Sequence, residues 1–491
     1  MITALFLTLL IGIVAFISEI SLKEGYLNVE IGRKIIQFVA GGSAAVSVLL
    51  IDDKNIFLAF GFIGIAISFI LVKFNFIKSF QREKAKSWGM FYVPLSFTLL
   101  VYFFYPDYKE IIFVSMLIVG IADALAAIMG SFLAQSFFNI TGDQKSIVGS
   151  VTFFFMTFCI IILFFAGIIN LRMLPDIFFS LGDIILFALS VSLLLTILEA
   201  LSSRGFDNFL IPIFTAILFF IFAKANNSEL IGQFIIGVLL SAIVALASVK
   251  LKFLTHNGAA ITFILAAFIF GLGGLKWSIP ILTFFISSSV LSKVKKKENE
   301  KFDTFFEKTS KRDYLQVLAN GGIGGVLVIY NQIFPNEVNY YIYLASLAAV
   351  CADTWATEIG TLHKRPTYNI LNLQKIEQGI SGGISIIGSL AAILGACIIA
   401  LSGLAWSNIF YLNYFLLIIG AGLFGSFFDS ILGATIQVQY KCQNCAKITE
   451  RHIHCGEKTT QFRGFGWINN DAVNILASVS SALLIVIIKY I

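Results

Sequence analysis

Long apolar runs separated by short polar stretches recur from one end of the chain to the other. A helix crossing the hydrocarbon core of a bilayer needs roughly 20 apolar residues, and most of these runs approach that length. They predict about sixteen spans, near 2–20, 32–51, 56–72, 90–105, 111–130, 147–169, 181–201, 208–223, 229–249, 257–273, 277–292, 314–333, 338–360, 381–402, 411–436 and 470–490. The expected fold is all-α, a polytopic helical membrane protein. The first run lacks a basic leader and a small-residue cleavage site, so it reads as a retained helix rather than a signal peptide.

Composition agrees with this pattern. Apolar residues make up 58% of the 491 and charged residues 13%, and mean hydropathy is +0.91; a soluble protein of this size does not have such a balance. The net charge of +6 says little by itself, but the placement of the basic residues says more. Loops after odd-numbered spans hold 28 of the 34 Lys and Arg, and the even loops with the C-terminus hold 6. Basic loops stay in the cytoplasm, which puts the odd loops inside and both termini outside. The runs Lys73–Lys86 and Lys293–Arg312 then read as solvated cytoplasmic loops facing anionic lipid. An integral protein of a bacterial inner membrane is expected, with membrane lipid as a partner and no nucleic acid.

The polar residues repeat. Asp123 is followed by Gly130, Lys145, Gly149 and Glu199; Asp353 is followed at identical offsets by Gly360, Lys375, Gly379 and Asp429. Arg33-x-x-x-Gln37 precedes Gly41-Gly42, as Arg312-x-x-x-Gln316 precedes Gly321-Gly322, and Asp207-Asn208 has its counterpart in Asn470-Asp471. Apolar filler coincides by chance in membrane helices; carboxylates and a lysine in register do not. Two parallel structural repeats are expected: a unit at 1–228, additional helices at 229–292, a basic linker at 293–313, and a second unit at 314–491 with a Cys/His loop at 440–467.

A carboxylate inside a membrane helix is costly unless paired or hydrated, which makes Asp123 and Asp353 functional candidates; a purely structural pairing is the alternative. After each comes a loop lysine and then glycines that open a helix: Lys145, Ser146 and Gly149 in one copy, Lys375, Gly379, Ser381 and Gly382 in the other. Free backbone N–H groups beside an ammonium suit a phosphate, although neither string has P-loop order. Arg33, Lys34, Arg312, Gln316 and Asn320 join these as candidate nucleotide or substrate contacts. Asp123, Asp207, Asp353, Asp429 and Asp471, with Glu199 and the amides of Asn208 and Asn474, offer oxygen ligands for Mg²⁺; helix capping is the plainer reading of Asp207. Glu358 lies on the Asp353 helix, turned about a third of a turn away. Cys442-x-x-Cys445 followed by His454-Cys455 fits a tetrahedral Zn²⁺, with a redox pair or plain thiols as alternatives.

From about residue 255 onward, C-A-D-T-W-A-T-E-I-G, R-D-Y-L-Q-V-L-A-N-G-G, G-I-S-G-G-I-S-I-I-G and G-S-F-F-D-S-I-L-G-A-T-I-Q resemble the membrane family containing the phytyl-phosphate kinases. Residues 20–225 are similar to the phytol and dolichol kinase family, through R-K-I-I-Q, A-D-A-L-A-A-I-M-G, K-S-I-V-G-S and E-A-L-S-S-R-G-F-D-N-F-L-I-P. The resemblance implies phosphorylation of isoprenoid lipids by a nucleoside triphosphate, often CTP, with magnesium. By position, Lys145, Glu199, Asp207 and Asn208 would serve a first site, and Asp353, Glu358, Lys375, Asp429 and Asn474 a second. Gln37 departs from the histidine usual in first-half relatives, and Ala134-Gln135 from a Gly-basic pair, which points to an altered or degenerate first unit.

The expectation is a bifunctional lipid kinase that takes an isoprenoid alcohol of the phytol, geranylgeraniol or farnesol type to the monophosphate and then the diphosphate. The alternatives are a CTP-dependent cytidylyltransferase making a CDP-lipid, and a lipid or ion transporter, which would place its acids nearer mid-bilayer.

Overall fold

A computed structural model describes residues 1–74, 76, 87–165, 181–225, 227–298, 311–362, 365–406 and 412–490. Much of the two basic runs, and the ends of the spans expected at 147–169 and 411–436, lie outside these residues. Each of the sixteen expected spans coincides with helix. Among the described residues, twelve helices are long and apolar enough to cross a membrane.

The chain divides into two compact units, Met1–Ile235 and Ile236–Ile491. The first contains α1 (Ile2–Lys23), α2 (Val29–Leu50), α3 (Lys54–Phe74), α4 (Gly89–Phe104), α5 (Lys109–Leu117), a π-helical turn (Ile118–Asp123), α6 (Ala124–Leu133), a β1–β2 hairpin (Phe137–Asn139, Gln144–Ser146), α7 (Ile147–Phe165), α8 (Leu181–Leu201) and α9 (Asp207–Ala225). The unit boundary falls inside α10 (Ser228–Lys250). The second contains α11 (His256–Glu298), broken at Gly274 where φ is +64°, then α12 (Tyr314–Ile333), α13 (Glu337–Leu362), α14 (Ile386–Leu404), α15 (Leu412–Thr435) and α16 (Asn470–Tyr490). Short strands fill its loops: β3 (Thr367–Asn369), β4 (Lys375–Ile376) and β5 (Gly383–Ile384) before α14, and β6 (Gln439–Lys441), β7 (Ile448–Thr449), β8 (Ile453–His454), β9 (Glu457–Lys458) and β10 (Thr460–Arg463) before α16. The hydropathy pattern carries no trace of these strands, and α14 begins later than the expected 381.

Each unit is built around the helix that bears its aspartate. In the second, α13 packs against α11, α12, α14, α15 and α16, and every residue from Val338 to Ala352 is buried. Small residues allow this. A Cβ on Gly422 would stand 2.8 Å from that of Ala348, one on Gly425 2.5 Å from that of Ala349, and one on Gly395 2.8 Å from the Cys351 carbonyl oxygen. In the first unit, α5 and the π turn pack against α2, α4, α7 and α9. Gly41 meets Gly120 there, where an added Cβ would lie 2.6 Å from the Gly120 Cα. Large apolar side chains such as Leu5, Phe6, Phe16, Phe103 and Leu246 face outward, as a lipid-facing surface requires.

Candidate functional site

In the first unit the predicted residues converge. Lys34 on α2 forms a buried ion pair with Asp123, and Lys145 on β2 forms one with Glu199 at the end of α8. Lys145 also reaches Asp207 Oδ2 at 3.3 Å. Single ligand oxygens of Asp123, Glu199 and Asp207 lie within 4.8 Å of one another. Gln37 is the joint of the network. Its amide nitrogen donates to Asp123 at 2.5 Å, to Asn208 Oδ1 at 2.8 Å and to the Val119 carbonyl at 3.2 Å, and its oxygen accepts from Lys34 at 3.1 Å. Val119 belongs to the π turn, where wide helical hydrogen bonding leaves room for a side-chain donor. Asn208 donates onward to the Gly89 carbonyl at 3.0 Å. Arg33 is buried, bound to Glu30 at 2.5 Å, with its Nε unpartnered among the described residues. Burial works against the Lys145 ammonium, but Glu199 and then Asp207 outweigh it, so its pKa is raised.

Ser146 accepts from the Gly149 N–H at 3.0 Å, holding the start of α7. A Cβ on Gly130 would stand 2.5 Å from Ser146 Oγ, and one on Gly149 3.0 Å from the Ala126 carbonyl oxygen. The second unit repeats this joint with different residues. Ser385 accepts from the Gly388 N–H at 3.1 Å, and a Cβ on Gly360 would lie 3.2 Å from the Gly388 Cα. The counterparts of Ser146 and Gly149 are therefore Ser385 and Gly388, and Lys145 corresponds to Ile384. Both strand registers agree, with Phe138 opposite Lys145 and Tyr368 opposite Ile384.

This corrects the expected role of Lys375. The second unit carries a longer connection, so equal counting from Asp353 lands in the additional strand β4. There Lys375 is exposed, and it does not line the cavity. That cavity, about 130 Å³, opens between the ends of α13, α14 and α15. Asp353, Asp429 and Glu450 supply its charge, and the turn Gly379–Ser385 forms one wall. Gly379 and Gly382 adopt φ of +93° and +85°, a region that favours glycine. Among the described residues, no lysine or arginine lines the cavity. Asp429 Oδ2 is buried without a hydrogen-bond partner among the described residues, as is Glu199 Oε2 in the first unit. Unpaired buried carboxylate oxygens fit a hard divalent cation such as Mg²⁺.

Several predicted residues lie elsewhere. Glu358 accepts from Ser292 at 2.6 Å, on a different face of α13 from Asp353. Gln316 completes a capping box with Asp313 at the start of α12. Asp471 is buried in the first turn of α16, while its neighbour Asn470 lines the cavity. Arg312 and Asn320 line a second, apolar cavity of about 260 Å³ with Leu265, Ile269 and Phe284, and the Arg312 guanidinium lies 5.4 Å from the Phe284 ring centre. Asn320 accepts from Asn474 at 3.5 Å, one helical turn from Asn470.

Glu450 escaped the sequence reading. It accepts from Ser381 at 2.5 Å and from Gln437 at 2.8 Å. Its only signal was its place between the two pairs of candidate metal ligands. In that loop, ligand atoms of Cys442, Cys445, His454 and Cys455 lie within 4.8 Å of one another. Hydrogen bonds from the Cys445 backbone and then His454 lower the Cys442 pKa to about 6.

Residues 239–482 match the family described as Integral membrane protein DUF92. Protein PGR of Arabidopsis thaliana is 26% identical over 276 residues, 51% of this chain and 94% of that protein. An uncharacterized membrane protein of Methanocaldococcus jannaschii is 27% identical over 268 residues, 54% of this chain and 98% of its own. Protein VTE6, chloroplastic, of Arabidopsis thaliana is 23% identical over 229 residues, 45% and 61% of the two chains. No solved structure matches. With the DUF92 match over residues 239–482 and twelve membrane-length apolar helices, the chain is an integral membrane protein.

Proposed function

We propose that this protein is an isoprenoid lipid kinase whose second unit transfers a phosphoryl group from a nucleoside triphosphate, CTP or another, to a prenyl monophosphate. The first unit makes that monophosphate from the alcohol. The observation that carries the reading is the acidic cavity of the second unit, with Asp353, Asp429 and Glu450 facing the glycine turn 379–383.

Phosphoryl transfer needs little covalent machinery; positioning and charge compensation do most of the work. In the alcohol step the hydroxyl oxygen bonds to the γ-phosphorus and its proton passes to solvent; in the second step an already ionised oxygen of the lipid phosphate bonds to it. The bond from that phosphorus to the β–γ bridging oxygen breaks, leaving a phosphate ester and a nucleoside diphosphate. Asp353, Asp429 and Glu450 would hold Mg²⁺, which supplies charge neutralisation for the phosphates when bound. The Gly379–Gly383 turn lines the same space, and its small residues leave room for phosphate oxygens to approach the backbone. The prenyl chain is assigned to the apolar cavity beside Arg312, whose guanidinium suits the monophosphate already on the lipid. The polar seam Asn320–Asn474–Asn470 leads from that cavity towards the acidic one.

The first unit has a different balance: three carboxylates, Asp123, Glu199 and Asp207, against two ammonium groups, Lys34 and Lys145. Lys145 is assigned to the transferred phosphate, and Asp123 to the metal or to orienting the acceptor hydroxyl. Nucleotide would arrive from the cytoplasm, in keeping with the basic loops.

The test is the nucleotide product. Purified protein is incubated with Mg²⁺, CTP or ATP and either geranylgeraniol or its monophosphate. Nucleoside diphosphate in step with lipid phosphorylation is expected. Pyrophosphate with a CDP-lipid would identify a cytidylyltransferase instead, and no nucleotide turnover with either acceptor would leave a transporter as the better reading.

A further inference from the structure

Two hairpins of the loop before α16 meet at their tips. β6 and β7 pair Tyr440 with Thr449 and Lys441 with Ile448, and their turn carries Cys442 and Cys445. β8 and β9 pair His454 with Glu457, so that His454 ends β8 and Cys455 lies in the turn beside it. Each tip thus contributes two soft or borderline ligands. His454 Nδ1 lies 3.5 Å from Cys445 Sγ and 3.2 Å from Cys455 Sγ. A tetrahedral site with Zn–S of ~2.3 Å and Zn–N of ~2.05 Å has S···N edges of ~3.5 Å. All three thiols are free of disulfide bonds. Ala446 and Cys455, neither of them glycine, adopt φ of +57° and +53° at the two tips. That conformation costs energy and persists only where the surroundings impose it. His452 is otherwise engaged, with its ring 4.5 Å from that of Tyr440.

We propose that Cys442, Cys445, His454 and Cys455 bind one structural Zn²⁺, which clamps the two hairpins together and so holds Glu450 at the acidic cavity. The three thiols bind as thiolates, releasing their protons to solvent, and His454 binds as the neutral ring through Nδ1. Four protein ligands close the coordination shell, which excludes a catalytic water and makes the role structural. Glu450 lies between the two ligand pairs in sequence, on the chain joining the hairpins, so their docking sets its position. The inference is independent of the kinase reading.

The full chain, purified in detergent under reducing conditions without chelator, is analysed for metal by mass spectrometry. One zinc per chain is expected, retained in His452→Ala and lost in Cys442→Ser and Cys455→Ser. Because the variants could misfold, the wild type is also stripped and reloaded with Co²⁺. Thiolate-to-cobalt charge-transfer bands and tetrahedral d–d bands are expected. Absence of both zinc and a cobalt spectrum would overturn the site, as would a Cys442–Cys445 disulfide under these conditions. Hydrogen exchange tests the positioning: metal removal should accelerate exchange at 448–452 and at 379–383, where Ser381 meets Glu450. Acceleration confined to the Cys-bearing turns would overturn that half.

Discussion

Ser381 donates a hydrogen bond to Glu450 across 2.5 Å, tying the glycine turn before α14 to the Cys/His loop before α16. With Gln437 on the same carboxylate at 2.8 Å, Glu450 is fixed beside Asp353 and Asp429. Glu450→Gln keeps the shape and removes one negative charge. Divalent-cation affinity is expected to fall about tenfold, roughly 1.4 kcal/mol. Titration with Mn²⁺ followed by electron paramagnetic resonance measures it, and unchanged affinity would remove Glu450 from the site.

Lys145 neutralises two buried carboxylates at once, Glu199 and Asp207. Removing one partner of a buried pair leaves uncompensated charge and costs about 3–5 kcal/mol. Lys145→Ala should therefore lower the melting temperature in detergent as well as abolish alcohol phosphorylation.

The raised pKa of Lys145 gives a sign for the pH dependence. Its stabilising contribution is fully present below the unfolded lysine value of ~10.4 and is lost only as pH rises through the higher folded value. Thermal melts between about pH 6 and about pH 9 should show the same wild-type-minus-Lys145→Ala difference throughout. A difference shrinking inside that window would contradict the pairing.

Gln37 binds Asp123, Asn208 and Lys34 together. Gln37→Leu leaves those groups short of partners inside the bundle, at about 1–3 kcal/mol. Denaturation of the variant should show this loss; no loss would mean that Gln37 is dispensable.

Gly382 adopts φ +85°, and its Cβ would meet that of Ala434 at 2.5 Å. Gly382→Ala should distort the turn and reduce turnover of the monophosphate severely. Gly420→Ala serves as control, because nothing lies within 4 Å of a Cβ there and alanine is the better helix former by about 1 kcal/mol.

The helices were legible in the sequence because apolar length alone specifies a span. The first acidic network was legible because Asp123 interrupts an apolar helix and Glu199 and Asp207 close and open the two helices α8 and α9, where carboxylates stand out against apolar sequence. The second was read only partly. Equal offsets from Asp353 to Lys375 and Gly379 suggested a copied lysine, but the intervening loop is longer and its strands shift the fold position to Ile384 and Ser385. Counting residues finds equivalents along a helix and loses them across a hairpin. Glu450 was invisible for a related reason: its partners Ser381 and Gln437 come from separate loops, and no periodicity connects them.

The most direct measurement is the mass spectrum of lipid products made from geranylgeraniol by wild type, Lys145→Ala and Asp429→Asn with Mg²⁺ and CTP or ATP. Wild type is expected to yield the diphosphate. Asp429→Asn should stop at the monophosphate, and Lys145→Ala should leave the alcohol untouched while still converting added monophosphate. Equal loss of both steps in both variants would contradict two separate sites, and an unmodified lipid from wild type with either nucleotide would contradict the kinase itself.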